Sequence, residues 1–122
     1  MTKYAIGIVT IDSKEVAQKI ALKLVEDKLA ACVNIIEGVS SIYRWKENIE
    51  KSEELMLIIK TKKILIKDLI VAIKKLHTYT TPEIIFLSID EGDENYLNWI
   101  GQNTLFTSNI TKDREKNTTE EQ

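Results

Sequence analysis

The segment Leu29–Thr61 most constrains what this chain can fold into, because it predicts two long β-strands that meet at a turn near Glu47–Asn48. Apolar side chains occur on both faces of the first strand, so both faces need cover. A strand over Val33–Trp45 would be about 43 Å long at ~3.3 Å per residue, whereas a compact domain of this size has a radius of gyration of only ~14 Å. Gly38, in the middle of this strand, indicates a bulge or bend. We therefore expect the hairpin to extend beyond its own core and to pair with another subunit.

The rest of the chain predicts two core helices, two further strands and a short third helix. Asp12 and Glu15 have the spacing of a capping box, which predicts that the first helix begins there. Apolar residues at helical spacing occur in two separate segments, and Pro82 prevents the second helix from continuing. The predicted elements are a strand ending at Thr10, a helix over Ser13–Asp27, the two hairpin strands, a helix over Lys63–Leu76, a strand over Glu83–Asp90, and a helix from Asp93 or Glu94 to about Asn103.

The order of these elements, β-α-β-β-α-β followed by a helix, predicts an α+β domain of the ferredoxin-like type. In this arrangement an antiparallel sheet carries both core helices on one face. The other face would be exposed in a monomer, which is a second reason to expect an oligomer. We expect one such domain over residues 1–107. From Ser108 the chain is polar and charged, and residues 108–122 are predicted to be a disordered tail.

Charge and composition argue against several classes of partner. The formal net charge is −2 at pH 7, and the basic residues are dispersed, so we expect no nucleic-acid binding. The longest apolar runs are far too short for a membrane-spanning helix, so we expect no membrane partner. A single cysteine excludes an intrachain disulfide, and no signal peptide is visible. These features predict a cytoplasmic protein.

His77 and Cys32 are the only histidine and the only cysteine of the chain, and each has a structural and a functional interpretation. His77 lies where the second helix ends, as either a cationic C-cap or a metal ligand. Cys32 lies on the long strand, as either an inert thiol or a soft metal ligand. One histidine cannot form a typical zinc site alone. A metal site therefore requires that the two residues meet, or that a neighbouring subunit contributes.

The aromatic residues and the missing motifs both argue against an enzyme. Tyr43, Trp45 and Tyr79 are more typical of packing or interface anchors than of a cofactor site. The chain has no phosphate-binding glycine loop, no serine nucleophile motif and no CxxC motif. We therefore expect no catalytic activity and no required cofactor, and a hydrolase or transferase ranks last among the functional classes.

Three ordered sequence blocks have a spacing that is hard to obtain by chance. The first is Leu29-Ala30-Ala31-Cys32-Val33-Asn34 with Ser41-Ile42-Tyr43 and Trp45, the second is His77-x-Tyr79 with Pro82-Glu83-Ile84-Ile85, and the third is Tyr96-Leu97-x-Trp99-Ile100. Over about Tyr4–Gln102 the chain resembles the CutA family, the divalent-cation tolerance proteins. Glu47 stands where that family often has a hairpin-turn glycine, so Asn48 is expected to supply the left-handed residue.

The resemblance implies a ferredoxin-like protomer in a tight homotrimer, with clefts between subunits and a link to tolerance of copper and other divalent cations. Cys32, His77, Tyr79 and Glu83 match positions that the family tends to keep around its cleft. We therefore expect a divalent metal, copper(II) foremost, as a possible partner. The candidate metal ligands are His77, Cys32 and Glu83.

The alternative is a regulatory or scaffold trimer without a physiological metal. Its clefts between subunits would bind a small anionic ligand or a partner protein. Lys60, Tyr43, Trp45 and Tyr79 would line such a cleft, and any metal binding would be incidental.

Overall fold

The computed structural model describes residues 3–110, which form one antiparallel four-stranded sheet, three α-helices and a short 3₁₀ turn. The strand order is β2-β3-β1-β4, which is the predicted ferredoxin-like arrangement. Among these residues no helix is long and apolar enough to cross a membrane. The elements are β1 (Tyr4–Ile11), α1 (Lys14–Glu26), β2 (Cys32–Trp45), β3 (Asn48–Lys62), the 3₁₀ turn (Lys63–Leu65), α2 (Ile66–Leu76), β4 (Ile84–Ser88) and α3 (Glu94–Gln102).

The core lies between one face of the sheet and the helices α1 and α2. In the antiparallel register Val9 lies opposite Leu57, and Ile11 lies opposite Leu55. These side chains alternate with residues of the other face, so they point together towards the helices. Each large aliphatic side chain that is fully buried here contributes about 1.5–3 kcal/mol. The helices supply the buried residues Ala17, Ile20, Leu24, Leu69 and Ile73.

The opposite side of the sheet is apolar and has no helical cover from α1 or α2. The exposed fractions of Ile36, Ile85 and Leu87 are 47%, 51% and 53%. A contiguous apolar surface of this kind is typical of an interaction site rather than of a free monomer surface. We call this surface the open face; the register assigns to it Ile6, Ile8, Ile36, Met56, Ile58, Ile85 and Leu87.

The hairpin extends beyond the core, as its length predicts. β1 pairs with Leu55–Lys62 of β3, so the segment Asn48–Glu54 pairs with β2 alone. The register shifts between Ile36 and Val39, where Gly38 has a φ of +76°. This confirms the predicted bulge, since a left-handed backbone at that point favours glycine.

The turn of the hairpin differs from the expectation. Trp45 pairs with Asn48, and the two residues between them, Lys46 and Glu47, have φ values of 48° and 73°. Two consecutive left-handed residues define the tight turn that suits the twist of a hairpin. The prediction that Asn48 supplies the left-handed residue was wrong, because Asn48 is already paired in β3.

The first helix has a different cap from the one predicted. Ser13 Oγ accepts a hydrogen bond of 3.2 Å from the backbone N–H of Val16, so Ser13 rather than Asp12 is the N-cap. The third helix is capped as its sequence suggests, because Asp93 Oδ2 accepts from the Tyr96 N–H at 2.9 Å. Such caps satisfy backbone donors that have no partner within the helix.

Residues 108–110 are held against α2 by a buried carboxylate. Asp68 accepts hydrogen bonds from the Ser108 hydroxyl and from the backbone N–H groups of Asn109 and Ile110. Asp68 and Ser108 are both buried. These three residues are thus tied to α2, and the rest of the tail predicted from Ser108 onward lies outside the described residues.

We expect Gly7→Ala to lower the free energy of unfolding by about 1–3 kcal/mol, because it overpacks a filled site. Gly7 lies opposite Phe86 in the sheet, and a Cβ atom at Gly7 would lie 2.6 Å from Phe86 Cε1. Urea denaturation at a single protein concentration measures the effect. Gly92→Ala is the matched control, since its nearest neighbour would be Leu97 Cδ2 at 3.4 Å. Equal midpoints for the two variants would contradict this interpretation of Gly7.

Candidate functional site

A cleft of about 600 Å³ lies between the extended part of the hairpin and the loop that follows α2. Its size is within the ordinary range for small-ligand sites. Three of the predicted cleft residues, Tyr43, Trp45 and Tyr79, do line it, together with the candidate metal ligand Glu83. The remaining lining residues are Thr10, Ser41, Ile42, Arg44, Glu54, Thr80 and Thr81.

His77 fixes the loop that forms one wall of this cleft. Its Nε2 lies 2.8 Å from the carbonyl oxygen of Thr10, and its Nδ1 accepts a hydrogen bond of 3.1 Å from the Tyr79 N–H. These partners assign the ring hydrogen to Nε2 and leave neither nitrogen free while both bonds persist. The Tyr79 ring also packs edge-on against the imidazole, with centroids 4.6 Å apart. His77 thus occupies the C-cap position of α2. Its ring hydrogen bonds are those of a neutral imidazole that joins β1 to the loop, and not those of the cationic cap that the sequence suggested.

Tyr79 reaches across the end of β1 to a buried carboxylate. Its hydroxyl donates a hydrogen bond of 2.7 Å to Glu54 Oε2, and the Glu54 residue is only 7% exposed. Partial burial raises the pKa of Tyr79, and the hydrogen bond to Glu54 and the negative charges of Glu54 and Asp12 raise it further. Burial and two nearby carboxylates thus both disfavour the ionised form of Tyr79.

Cys32 and His77 lie at different levels of the sheet, where the level is the position along the strand direction. Cys32 pairs with Lys60, whereas Thr10, the hydrogen-bond partner of His77, pairs with Met56. Four residues along β3 separate the two levels, which is about 13 Å at ~3.3 Å per residue. Within one chain the two candidate ligands are not brought together.

Lys60 also lies outside the cleft, next to Cys32. Lys60 Nζ donates a hydrogen bond to Asn34 Oδ1, and Cys32 Sγ lies 3.9 Å from the same oxygen. Among residues 3–110 no three histidine, cysteine or acidic side chains form a group that could hold a metal. A site that uses Cys32, His77 and Glu83 would therefore need more than one subunit.

Glu54 is the site residue that sequence reasoning missed. It precedes the buried run of β3, and it shares a face with Met56 and Ile58. The sequence signal was a carboxylate at the end of an otherwise apolar alternating stripe. Such a placement calls for a hydrogen-bond or ionic partner, since a buried carboxylate is costly without one.

We expect Tyr79→Phe to lower the free energy of unfolding by about 1–3 kcal/mol, because it removes the hydrogen-bond donor of a buried acceptor. Thermal or urea denaturation measures this change. Tyr43→Phe is the matched control, since Tyr43 lines the same cleft but its hydroxyl is not needed by Glu54. An equal loss in both variants would mean that the hydroxyl of Tyr79 does not stabilise Glu54.

Comparison with known proteins connects this fold to one family. The family model described as CutA1 divalent ion tolerance protein matches residues 5–103. The divalent-cation tolerance protein CutA of Thermus thermophilus is 47% identical over 97 residues, which cover 80% of this chain and 94% of that protein. Protein CutA of Mus musculus is 41% identical over 103 residues, which cover 84% of this chain. The chain spans 58% of the length of the mouse protein.

Solved structures give the same result. The divalent cation tolerance protein of Thermus thermophilus matches with a TM-score of 0.82 and 45% identity, over 84% of this chain and 99% of that chain. The periplasmic divalent cation tolerance protein CutA of Archaeoglobus fulgidus matches with a TM-score of 0.80 and 36% identity, over 82% of this chain and 97% of that chain. The resemblance seen in the sequence is thus confirmed, and this chain belongs to the CutA1 family of divalent ion tolerance proteins.

Proposed function

We propose that this protein acts in divalent-cation tolerance as a homotrimer and binds the cation, copper(II) foremost, at sites completed between subunits. The observation that carries the proposal is the open face, which is apolar and exposed next to an overhanging hairpin. The fold supplies the surface for assembly. The candidate ligands Cys32 and His77 lie near opposite ends of that surface.

Two surfaces support the assembly. On the open face Leu87 is 53% exposed, and on the hairpin Ile42 and Ile49 are each 70% exposed. The outer strand β2 also presents unpaired backbone groups along its free edge, and such an edge favours pairing with another chain. Burying both surfaces against identical subunits removes apolar area from water, which is the main driving force for obligate assembly.

The separation of Cys32 from His77 favours a metal site between subunits. In a closed ring each interface joins two different patches of the same chain. Cys32 of one subunit can then meet Glu83 or His77 of the next. Thiolate, imidazole and carboxylate are all ligands that copper accepts. His77 must release one of its two hydrogen bonds to take part, whereas Glu83 is exposed at the cleft.

The proposed activity is binding and assembly rather than catalysis. We place it in the cytoplasm, because a lone cysteine suits a reducing compartment. No nucleic acid, membrane or resident cofactor enters the proposal.

A second candidate function is the binding of a small ligand in the cleft, with metal binding incidental. The specific observation in its favour is the volume of about 600 Å³ combined with walls that carry three aromatic rings. A bare metal ion needs no space of that size, whereas an organic ligand does.

Assembly can be tested by placing a charge on each surface. We expect light scattering to give three times the chain mass of 14.0 kDa. Leu87→Asp on the open face and Trp45→Asp on the hairpin should weaken assembly by about 3–5 kcal/mol, because each would bury an unpaired charge. Leu22→Asp is the control, since Leu22 is 60% exposed and lies on α1, away from the open face. A wild-type monomer, or equal effects of all three variants, would overturn the assembly.

Metal binding can be tested by calorimetric titration with Cu(II) and Zn(II). We expect micromolar binding of Cu(II), weakened by about tenfold or more in Cys32→Ser, Glu83→Gln and His77→Ala, since each loses a ligand. Glu91→Gln is the control for a lost surface carboxylate. Millimolar binding that none of the three substitutions changes would contradict a site built from these residues.

A further inference from the structure

The cleft contains a buried carboxylate that has no cationic partner among residues 3–110. Glu54 is 7% exposed, and its hydrogen-bond donor is the neutral Tyr79 hydroxyl. The ion pairs formed within residues 3–110 do not include Glu54. A carboxylate this far from water is normally paired with a positive charge, because desolvation of an unpaired charge is costly. The arrangement leaves room for a cation on the open side of Glu54.

The basic residues near the cleft are directed elsewhere. Arg44 lines the cleft, but its Nη1 donates a hydrogen bond of 3.4 Å to the carbonyl oxygen of Glu47 at the hairpin turn. Lys46 Nζ lies 5.9 Å from the centroid of the Trp45 ring, at the outer limit of a cation–π contact. Neither residue forms an ion pair with Glu54.

The walls suit a cation that also has an apolar part. Tyr43, Trp45 and Tyr79 line the cleft, and Glu83 adds a second carboxylate. Aromatic faces attract ammonium and guanidinium groups within about 6 Å of the ring centroid. Burial is the main cause of the raised pKa of Tyr79, and the negative charges of Glu54 and Asp12 add to it. Those charges would repel an anionic ligand.

We propose that the cleft binds a small organic cation, an alkylammonium or guanidinium compound, with its charge at Glu54 and Glu83 and its apolar part against Tyr43 and Trp45. This inference rests on the second candidate function, but it assigns a cationic ligand where the sequence suggested an anionic one. A bare divalent ion fits the cleft less well, because residues 3–110 offer no group of three ligand side chains. Calcium and magnesium would in addition need about six oxygen donors. An organic cation needs only one or two carboxylates and the ring faces.

The experiment is a thermal-shift screen on the full chain, followed by calorimetry with the best probe. The cationic probes are agmatine, methylguanidine, spermidine and tetramethylammonium, and the anionic probes are adenosine monophosphate, citrate and acetate. We expect a cationic probe to raise the melting temperature and to bind once per chain, since a ligand of the folded state stabilises it. No anionic probe should do so.

Two charge-neutralising variants and one control localise the site. Glu54→Gln and Glu83→Gln should each weaken binding of the best cationic probe by about tenfold or more. Glu83 is exposed, so Glu83→Gln keeps the test valid if Glu54→Gln fails to fold. Glu53→Gln removes the same charge from the neighbouring residue, which is exposed and does not line the cleft, and it should leave the affinity unchanged.

Three results would overturn the inference in distinguishable ways. Stabilisation by an anionic probe alone would keep the cleft as a ligand site but reject the cation. Absence of probe binding, with Glu54→Gln changing only the mass in light scattering, would assign the cleft to a neighbouring subunit. Equal weakening by Glu53→Gln and Glu54→Gln would show unspecific attraction. The copper titration is read separately, so failure here leaves the proposed metal function untouched.

Discussion

The antiparallel pairing of β1 with β3 is the constraint on which the rest of this structure depends. Because Val9 faces Leu57 on the helical side, the intervening residues must all point the other way. The same register that builds the core therefore creates the open face. A shift of one residue would exchange the two surfaces, bury Lys60 under the helices and expose Leu57. Core packing thus also determines which side chains form the open face.

The same pairing sets the position of the cleft. Thr10 lies at the end of β1, and its carbonyl oxygen receives the His77 ring. Beyond this point β3 pairs with β2 alone, so the hairpin stands free opposite the loop that carries Tyr79. The cleft is the space that remains where a short strand ends beside a long one. Its walls come from three strands and one loop. His77 fixes the distance between the end of β1 and that loop.

Periodicity predicted most of the fold, because buried side chains recur every two residues in a strand and about every three and a half residues in a helix. The long hairpin, the bulge at Gly38 and the second helix all followed from such patterns. Which of two adjacent residues caps a helix was less predictable. Asp12 and Ser13 can both act as the N-cap of α1, and only the backbone conformation selects one of them. The separation of Cys32 from His77 depends on strand register across three strands. No pattern within either segment contains that information.

The candidate site was predicted only in part for a related reason. Tyr43, Trp45 and Tyr79 were identified as large aromatics that need a surface, and all three line one cleft. Glu54 was missed because a carboxylate beside an apolar stripe is ordinary at a strand end. Its importance comes from Tyr79, twenty-five residues later, whose approach depends on the path of the loop. A hydrogen bond between two segments that are distant in the sequence can be identified only once the structure gives the position of both.

The contact between Asp68 and residues 108–110 has a consequence for the order of events during synthesis. Asp68 lies in the first turn of α2, but its donors are made about forty residues later. Until they leave the ribosome, this carboxylate has no donors where the native structure places it, and burying it would cost at least about 1–3 kcal/mol. β1 likewise waits for both β3 and β4. The nascent chain therefore lacks part of its final stability until residues 108–110 have left the ribosome.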